Sequence, residues 1–267
     1  MTQTAPDLAV PIRPMNPAVS PPSEASLYHT GVATLLASWE QYAHTSRGAT
    51  VQRLAGVAAA LFPTEPERGV YNNAVLKRDL TATERADAIA AMEAAYENAG
   101  VSRYAAWVHE SDDAMRSDLH RRGYRVAEVT RAMGMPLDDI RVPRPRLELG
   151  PADWSEHLRI AGVDPGLLRG LDLASFQVLV ARHQGENVAT GIAMHFGTDC
   201  GICDVRTLEP ARRRGLGTAL TSVHLHDALA HGCHTASLQS TAMAERMYAA
   251  VGFRDLGRIL EYVPSRG

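Results

Sequence analysis

At 267 residues, with 45% hydrophobic and 21% charged residues, the chain has the make-up of one large globular domain or two ordinary ones. A formal net charge of −3 supplies no basic excess for releasing counterions, which excludes a general nucleic-acid binder. No apolar stretch approaches the ~20 residues that span a bilayer, so no membrane partner is expected.

Met1 to Pro22 carries six prolines, at positions 6, 11, 14, 17, 21 and 22, and lacks the apolar core of a signal peptide. Segment 1–24 is therefore expected to be a flexible, proline-rich arm. Tyr71 to Leu76 is a strand candidate, and the run that follows it places Thr81 and Glu84 at capping-box spacing, closing a helix start internally. Ala105 to Ser111 is the next strand-like run. It precedes a helix that ends Leu119-His120-Arg121-Arg122, then Gly123-Tyr124-Arg125 and a strand from Val126 to Met135 stopped by Pro136. Asp138 to Pro145, with two prolines and alternating charge, is the expected linker.

Beyond it, Arg146 to Leu149 suggests a strand, followed by helical or loop material from Ala152 to Leu171. Phe176 to Arg182 and Val188 to Phe196 suggest a hairpin about Gln184-Gly185-Glu186-Asn187. A strand from Ile202 to Leu208 leads through Arg212-Arg213-Arg214-Gly215-Leu216-Gly217 into a helical run, Thr218 to Leu225. A buried-strand pattern, Thr235 to Gln239, precedes a short helix from Ala242 to Val251 that carries Tyr248. Gly252-Phe253 and a strand from Arg258 to Val263 complete the chain. The order strand, helix, Gly-aromatic-Arg, strand thus occurs twice, which points to two related halves.

The three cysteines, Cys200, Cys203 and Cys233, favour free thiols in a reducing, cytoplasmic compartment. Cys200 and Cys203 have the spacing of half a zinc site, with His224, His226, His231 and His234 nearby. The strand and helix positions scatter these side chains, so no metal is expected.

The turn at 212–217 is the most chemically pointed feature. A strand that turns through glycines into a helix leaves backbone N–H groups unpaired at the helix start, where the helix dipole is positive. That arrangement receives a phosphate, glycine admits it closely, and arginines add charge. No lysine follows Gly217, which excludes the P-loop, and Leu220 stands where the dinucleotide fingerprint needs a third glycine.

Arg212, Gly215 and Gly217 leave the pattern R-x-x-G-x-G. Together with the strand before it, the helix and strand after it, and Tyr248-x-x-x-Gly252-Phe253, it resembles the GNAT acyltransferase superfamily over about 115 residues from Leu147. The resemblance implies an α/β fold of two tandem GNAT-like domains, each a mixed sheet flanked by helices. Residues 25–137 would be a degenerate copy, 138–145 the linker and 146–267 the catalytic domain. It also implies acetyl-coenzyme A as co-substrate and direct transfer to a primary amine of a small molecule or peptide, in a monomer or weak homodimer. A coenzyme-binding scaffold without turnover, or transfer to a protein lysine or N-terminus, is the alternative.

The same resemblance assigns roles. The amides from Arg213, Arg214 and Gly215 through Gly217 and Thr218 would hold the pyrophosphate, with Arg212 beside them. The backbones of Val205 and Thr207 would pair with the pantetheine arm. Tyr248 is the candidate acid, since a phenol of pKa ~10 is protonated at neutral pH; its other role is packing. Ser240 is a candidate for holding pantetheine or a water, or for a cap. Asp204, expected to alternate with Cys203 and Val205 on a regular strand, is the favoured base. A water relay, no dedicated base, and His195 remain open, and Glu209 is expected to be solvated or paired with the arginines that follow it. Cys203 is expected to pack, not attack. For a polycationic acceptor, Asp112, Asp113, Asp138, Asp139, Asp164 and Asp172 are candidate wall carboxylates.

Overall fold

The computed structural model describes residues 21–64, 71–150, 153–162 and 175–265. Most of the proline-rich arm, Asp164 and Asp172 lie outside them. Ser23 caps the first helix, α1 (Glu24–Thr45), its hydroxyl accepting from the Ser26 amide. A hairpin follows, β1 (Thr50–Leu54) and β2 (Val57–Leu61), and then β3 (Asn73–Leu76). Next come α2 (Ala82–Asn98), β4 (Ala105–His109), α3 (Asp113–Arg121) and β5 (Tyr124–Pro136), completing the first half.

The second half holds α4 (Trp154–Ala161), β6 (Gln177–His183), β7 (Glu186–Phe196), β8 (Asp199–Thr207) and α5 (Leu216–Ala230). It closes with β9 (Thr235–Ser240), α6 (Glu245–Val251) and β10 (Arg254–Pro264). The expected hairpin forms with a two-residue turn, Gln184 and Gly185, both at positive φ. The strand expected at Arg146–Leu149 does not form. Pro145 and Gly150 break it, leaving a single bridge from Leu149 to Ala181 on the edge of β6. No helix among the described residues is long and apolar enough to cross a membrane.

The doubled order seen in the sequence is a doubled fold. β3-α2-β4-α3-β5 repeats as β8-α5-β9-α6-β10, and β3–β4 and β8–β9 are the parallel pairs. Among the described residues ten strands form one sheet in the order β1-β2-β3-β4-β10-β5-β9-β8-β7-β6. β10 of the second half lies between β4 and β5 of the first, and β5 lies between β10 and β9. The halves thus exchange their last strands and share one hydrogen-bonded ladder.

Helices cover both faces. α2 and α3 pack Ile89, Met92, Met115 and Leu119 onto the first half, and α5 and α6 pack Leu225, Val251 and Tyr248 onto the second. The opposite face takes α1 and α4 through Leu36, Trp39, Tyr42, Leu158 and Ile160. α1 belongs to the first half in sequence but crosses β8 and β9, because the side-chain space there is vacated. A Cβ on Gly201 would stand 2.7 Å from Thr34 Cγ2, and one on Gly31 2.9 Å from Ser237 Cβ.

A fully buried carboxylate locks this contact. Asp199 accepts from Thr34 Oγ1 of α1 at 2.7 Å, and from Ser237 Oγ and Thr235 Oγ1 of β9 at 2.6 Å each. Removing the acceptor leaves three hydroxyls without their partner in a closed core. Asp199→Ala is expected to destabilise the protein by about 2–4 kcal/mol in urea titration, more than a neutral surface change of under ~0.5 kcal/mol.

Candidate active site

The site begins where two parallel strands separate. β8 pairs with β9 only from Asp199–Ile202 against Thr235–Leu238, while β8 itself runs on to Thr207. From Cys203 onward the β9-facing backbone edge of β8 has no strand partner among the described residues. A wedge opens between the strands, one wall of which is a backbone edge that faces no strand among the described residues, as an extended ligand needs for main-chain pairing.

At the mouth of the wedge β8 carries a bulge. Ile192 pairs with Cys203 and Thr190 with Arg206, so Asp204 and Val205 together oppose Gly191. Asp204 takes up the extra residue at φ 47, a left-handed conformation that costs about 1–3 kcal/mol in a non-glycine residue. The bulge overturns the regular alternation expected here. Cys203 packs with Trp39 and Tyr42 under α1, whereas Val205 turns to the opposite face, among Tyr248 and Met247. Asp204 itself lines the cavity beneath α1 together with Cys203 and Arg206.

On the other face the chain turns from β8 into α5. A 3-10 turn, Glu209–Ala211, is followed by Arg213 at φ 60 and by Gly215, the N-cap, at φ 77. No side chain caps α5. Among the described residues the amides of Arg213, Arg214 and Gly215 meet no backbone carbonyl. The equivalent helix of the first half is shut. Glu84 accepts from the Thr81 amide at 2.8 Å while the Glu84 amide donates to Thr81 Oγ1 at 3.3 Å, the capping box expected from the sequence. The two halves therefore share a fold and differ in one helix start: α5 is open to an anion and α2 is not.

The arginines divide their work. Arg212 turns back to donate to the Thr207 carbonyl at 3.2 Å, and Arg214 lies 3.2 Å from His183 Nε2 on β6. Arg213 is exposed. A Cβ placed on Gly217 would meet only ordinary contacts, Met247 Cε at 3.8 Å and Val205 Cγ1 at 3.9 Å, so internal packing does not require glycine there. Thr218 follows in the first turn, half-buried.

Tyr248 stands 7% exposed on α6, its ring edge-on to Phe253 at 5.8 Å. Its hydroxyl makes no hydrogen bond among the described residues. Burial pushes its phenol up to about 12, with Cys203 and Asp204 adding to the rise and Arg206 opposing it. Those influences bring Tyr248 within electrostatic reach of the bulge, and they keep its phenol protonated at neutral pH. Ser240 is 1% exposed and donates to the Thr241 carbonyl at 2.9 Å; it does not cap α6, whose N-cap is Ala244.

His195 is exposed on β7 beside His231, with ring centroids 5.7 Å apart, in a separate depression from Asp204. Glu209 is exposed, as expected. No group of three or more metal-ligating side chains occurs among the described residues. Of the acidic residues available to a polycationic acceptor, Asp112 caps α3, Asp113 pairs with Arg116, and Asp139 with Arg254. The cavity instead takes Glu128 and Glu261, cross-strand partners on β5 and β10. Their chain positions carry no motif, and only the strand exchange brings them together.

The cavity, about 390 Å³, lies between α1 and the sheet and draws walls from both halves. α1 itself was not foreseen as a site element. Its tryptophan and tyrosine, spaced three apart at Trp39 and Tyr42, were the available signal.

Residues 174–255 match the profile of the acetyltransferase (GNAT) domain. No curated protein matches the chain. Among solved structures, a GCN5-related N-acetyltransferase from Kribbella flavida is 19% identical, aligning over 89% of this chain and 97% of its own at TM-score 0.68. A second from Sphaerobacter thermophilus is 14% identical over 91% and 93%, at 0.56. A tandem GNAT protein from the clavulanic acid biosynthesis pathway is 13% identical over 91% and 96%, at 0.55. At these identities the likeness is one of fold.

The three thiols share one property. Burial raises Cys200 and Cys233, and it pushes Cys203 up to about 12 with the Asp204 charge adding to the rise. A raised thiol pKa leaves almost no thiolate below that value. Native protein held with iodoacetamide at neutral pH is expected to show no alkylation of Cys203 by mass spectrometry, whereas urea-unfolded protein reacts at all three.

Proposed function

We propose that this chain, which carries an acetyltransferase (GNAT) domain over residues 174–255, moves the acetyl group of acetyl-coenzyme A directly onto a primary amine. The observation that carries this reading is the open start of α5 beside the parted strands, in the one half whose helix is not closed by its own side chains. The uncapped amides at Arg213–Thr218 suit the pyrophosphate, and the free edge of β8 at Val205 and Thr207 suits the pantetheine arm. Both features lead a thioester to the bulge at Asp204.

There the amine nitrogen attacks the thioester carbonyl carbon. The new C–N bond forms, the C–S bond breaks, and the departing thiolate takes the proton of the Tyr248 hydroxyl. Asp204, beside the reacting centre, is the group we assign to receive the amine proton. The weakly acidic Cys203 supports direct attack over an acyl-enzyme. Three free cysteines support a reducing, cytoplasmic setting, and the internal pairing of two halves supports a monomer.

Gly217→Asp places a carboxylate where the pyrophosphate charge is expected. It should abolish the rise in melting temperature caused by acetyl-coenzyme A while leaving the unliganded melting temperature within a few degrees. Binding that survives in this variant would remove the phosphate role of the turn.

Tyr248→Phe should lower kcat by about 10²–10³ with little change in the KM for acetyl-coenzyme A, measured by thiol release. Since the phenol is raised from 10 to about 12, the donor form persists at every pH below that range. In the wild-type protein kcat should therefore stay level as pH rises past 10, the ordinary phenol value. Acetyl-coenzyme A binding with no thiol release on any amine would favour a coenzyme-binding scaffold.

A further inference from the structure

We infer, resting on that acyl-transfer reading, that the acceptor is a small amine carried on an apolar, aromatic body, seated under α1 between the two halves. The cavity that receives Asp204 at one side continues beneath α1 to β4 and β10. Val32, Leu35 and Trp39 of α1 form its roof, and Trp107 of β4 and Leu256 of β10 form the wall farthest along the sheet. The two indoles meet edge to face, with centroids 5.4 Å apart and planes at 81°, which fixes an aromatic corner.

Three observations select the acceptor. The volume, about 390 Å³, is that of a small-molecule pocket, and the α1 roof bars the open groove that a protein chain needs. The roof is hydrocarbon and aromatic surface, and Glu128 and Glu261, which line the cavity beside Trp107, already have partners of their own, so a sugar or a polyhydroxylated amine would lose its hydration there with few groups left to replace its hydrogen bonds. The bulge sets Asp204 against this apolar space, so that the amine end and the hydrocarbon end of one molecule meet different walls. The first half, which lacks an open helix start, thereby acquires its task. It supplies α1 and Trp107 to hold the part of the acceptor that does not react.

The test uses the full chain with acetyl-coenzyme A and five acceptors: phenethylamine, tryptamine, spermidine, kanamycin and free lysine. Thiol release should give the two arylalkylamines a KM at least about tenfold below the others. Trp107→Ala should raise their KM by about tenfold or more and leave kcat within about threefold, since it removes binding shared by ground and transition states. Val32→Phe, which fills the roof without deleting core, should raise the same KM and carries the test if Trp107→Ala misfolds by circular dichroism. Both variants should keep the wild-type calorimetric response to acetyl-coenzyme A.

Preference for spermidine, kanamycin or lysine would overturn the inference and leave the acyl-transfer reading standing, as would variants that leave every KM unchanged. Coenzyme binding without thiol release on any of the five would overturn both.

Discussion

The ladder between β5 and β10 is the constraint on which the rest of this structure depends. Each strand is the last of its own half, and each is hydrogen-bonded to the other over most of its length, Arg254–Pro264 against Gly134–Tyr124. Because β10 also pairs with β4 and β5 with β9, neither half completes its sheet from its own sequence. The exchange aligns the parallel pairs of both halves in one sheet and gives α1 a continuous surface to cross. The Asp199 carboxylate with its three hydroxyl donors holds that crossing. A cavity lined from both halves is the consequence.

On that shared frame the halves diverge at a single kind of position, the start of the helix after a parallel strand. In α2 the reciprocal Thr81–Glu84 bonds satisfy the helix start from within. In α5 a glycine at positive φ occupies the same place and offers nothing to the amides behind it. The dipole is positive at the start of both helices, so what separates an open start from a closed cap is whether a side chain already sits there. The result is a division in which one half carries the open helix start and the other supplies α1 and Trp107 to the cavity.

The bulge in β8 joins these two tasks. By spending two residues against Gly191 it sends Cys203 towards α1 and Val205 towards α5, so one strand serves the cavity on one face and the helix-start site on the other. It also coincides with the point where β8 leaves β9. Backbone strain at Asp204 is thus located where the strand edge, the cavity and the electrostatic reach of Tyr248 meet.

Local chemistry was legible in the chain itself. Glycines at 215 and 217, the Thr81–Glu84 spacing, the hairpin turn and the Tyr248 to Phe253 run each act within a few residues of backbone, where φ, capping and periodicity are decided. The doubling of the fold was legible for the same reason, since each copy repeats a local order of parts. The bulge escaped because a two-against-one register depends on the partner strand, not on β8 alone. The acidic wall residues escaped because Glu128 and Glu261 are 133 positions apart and meet only through the exchanged strands. α1 lies on the far half because Gly31 and Gly201 leave room for it, and that fit exists only once the sheet has formed. Sequence alone determined the uncapped start of α5, because glycine and capping chemistry act within a few residues; tertiary pairing decided what stands opposite it.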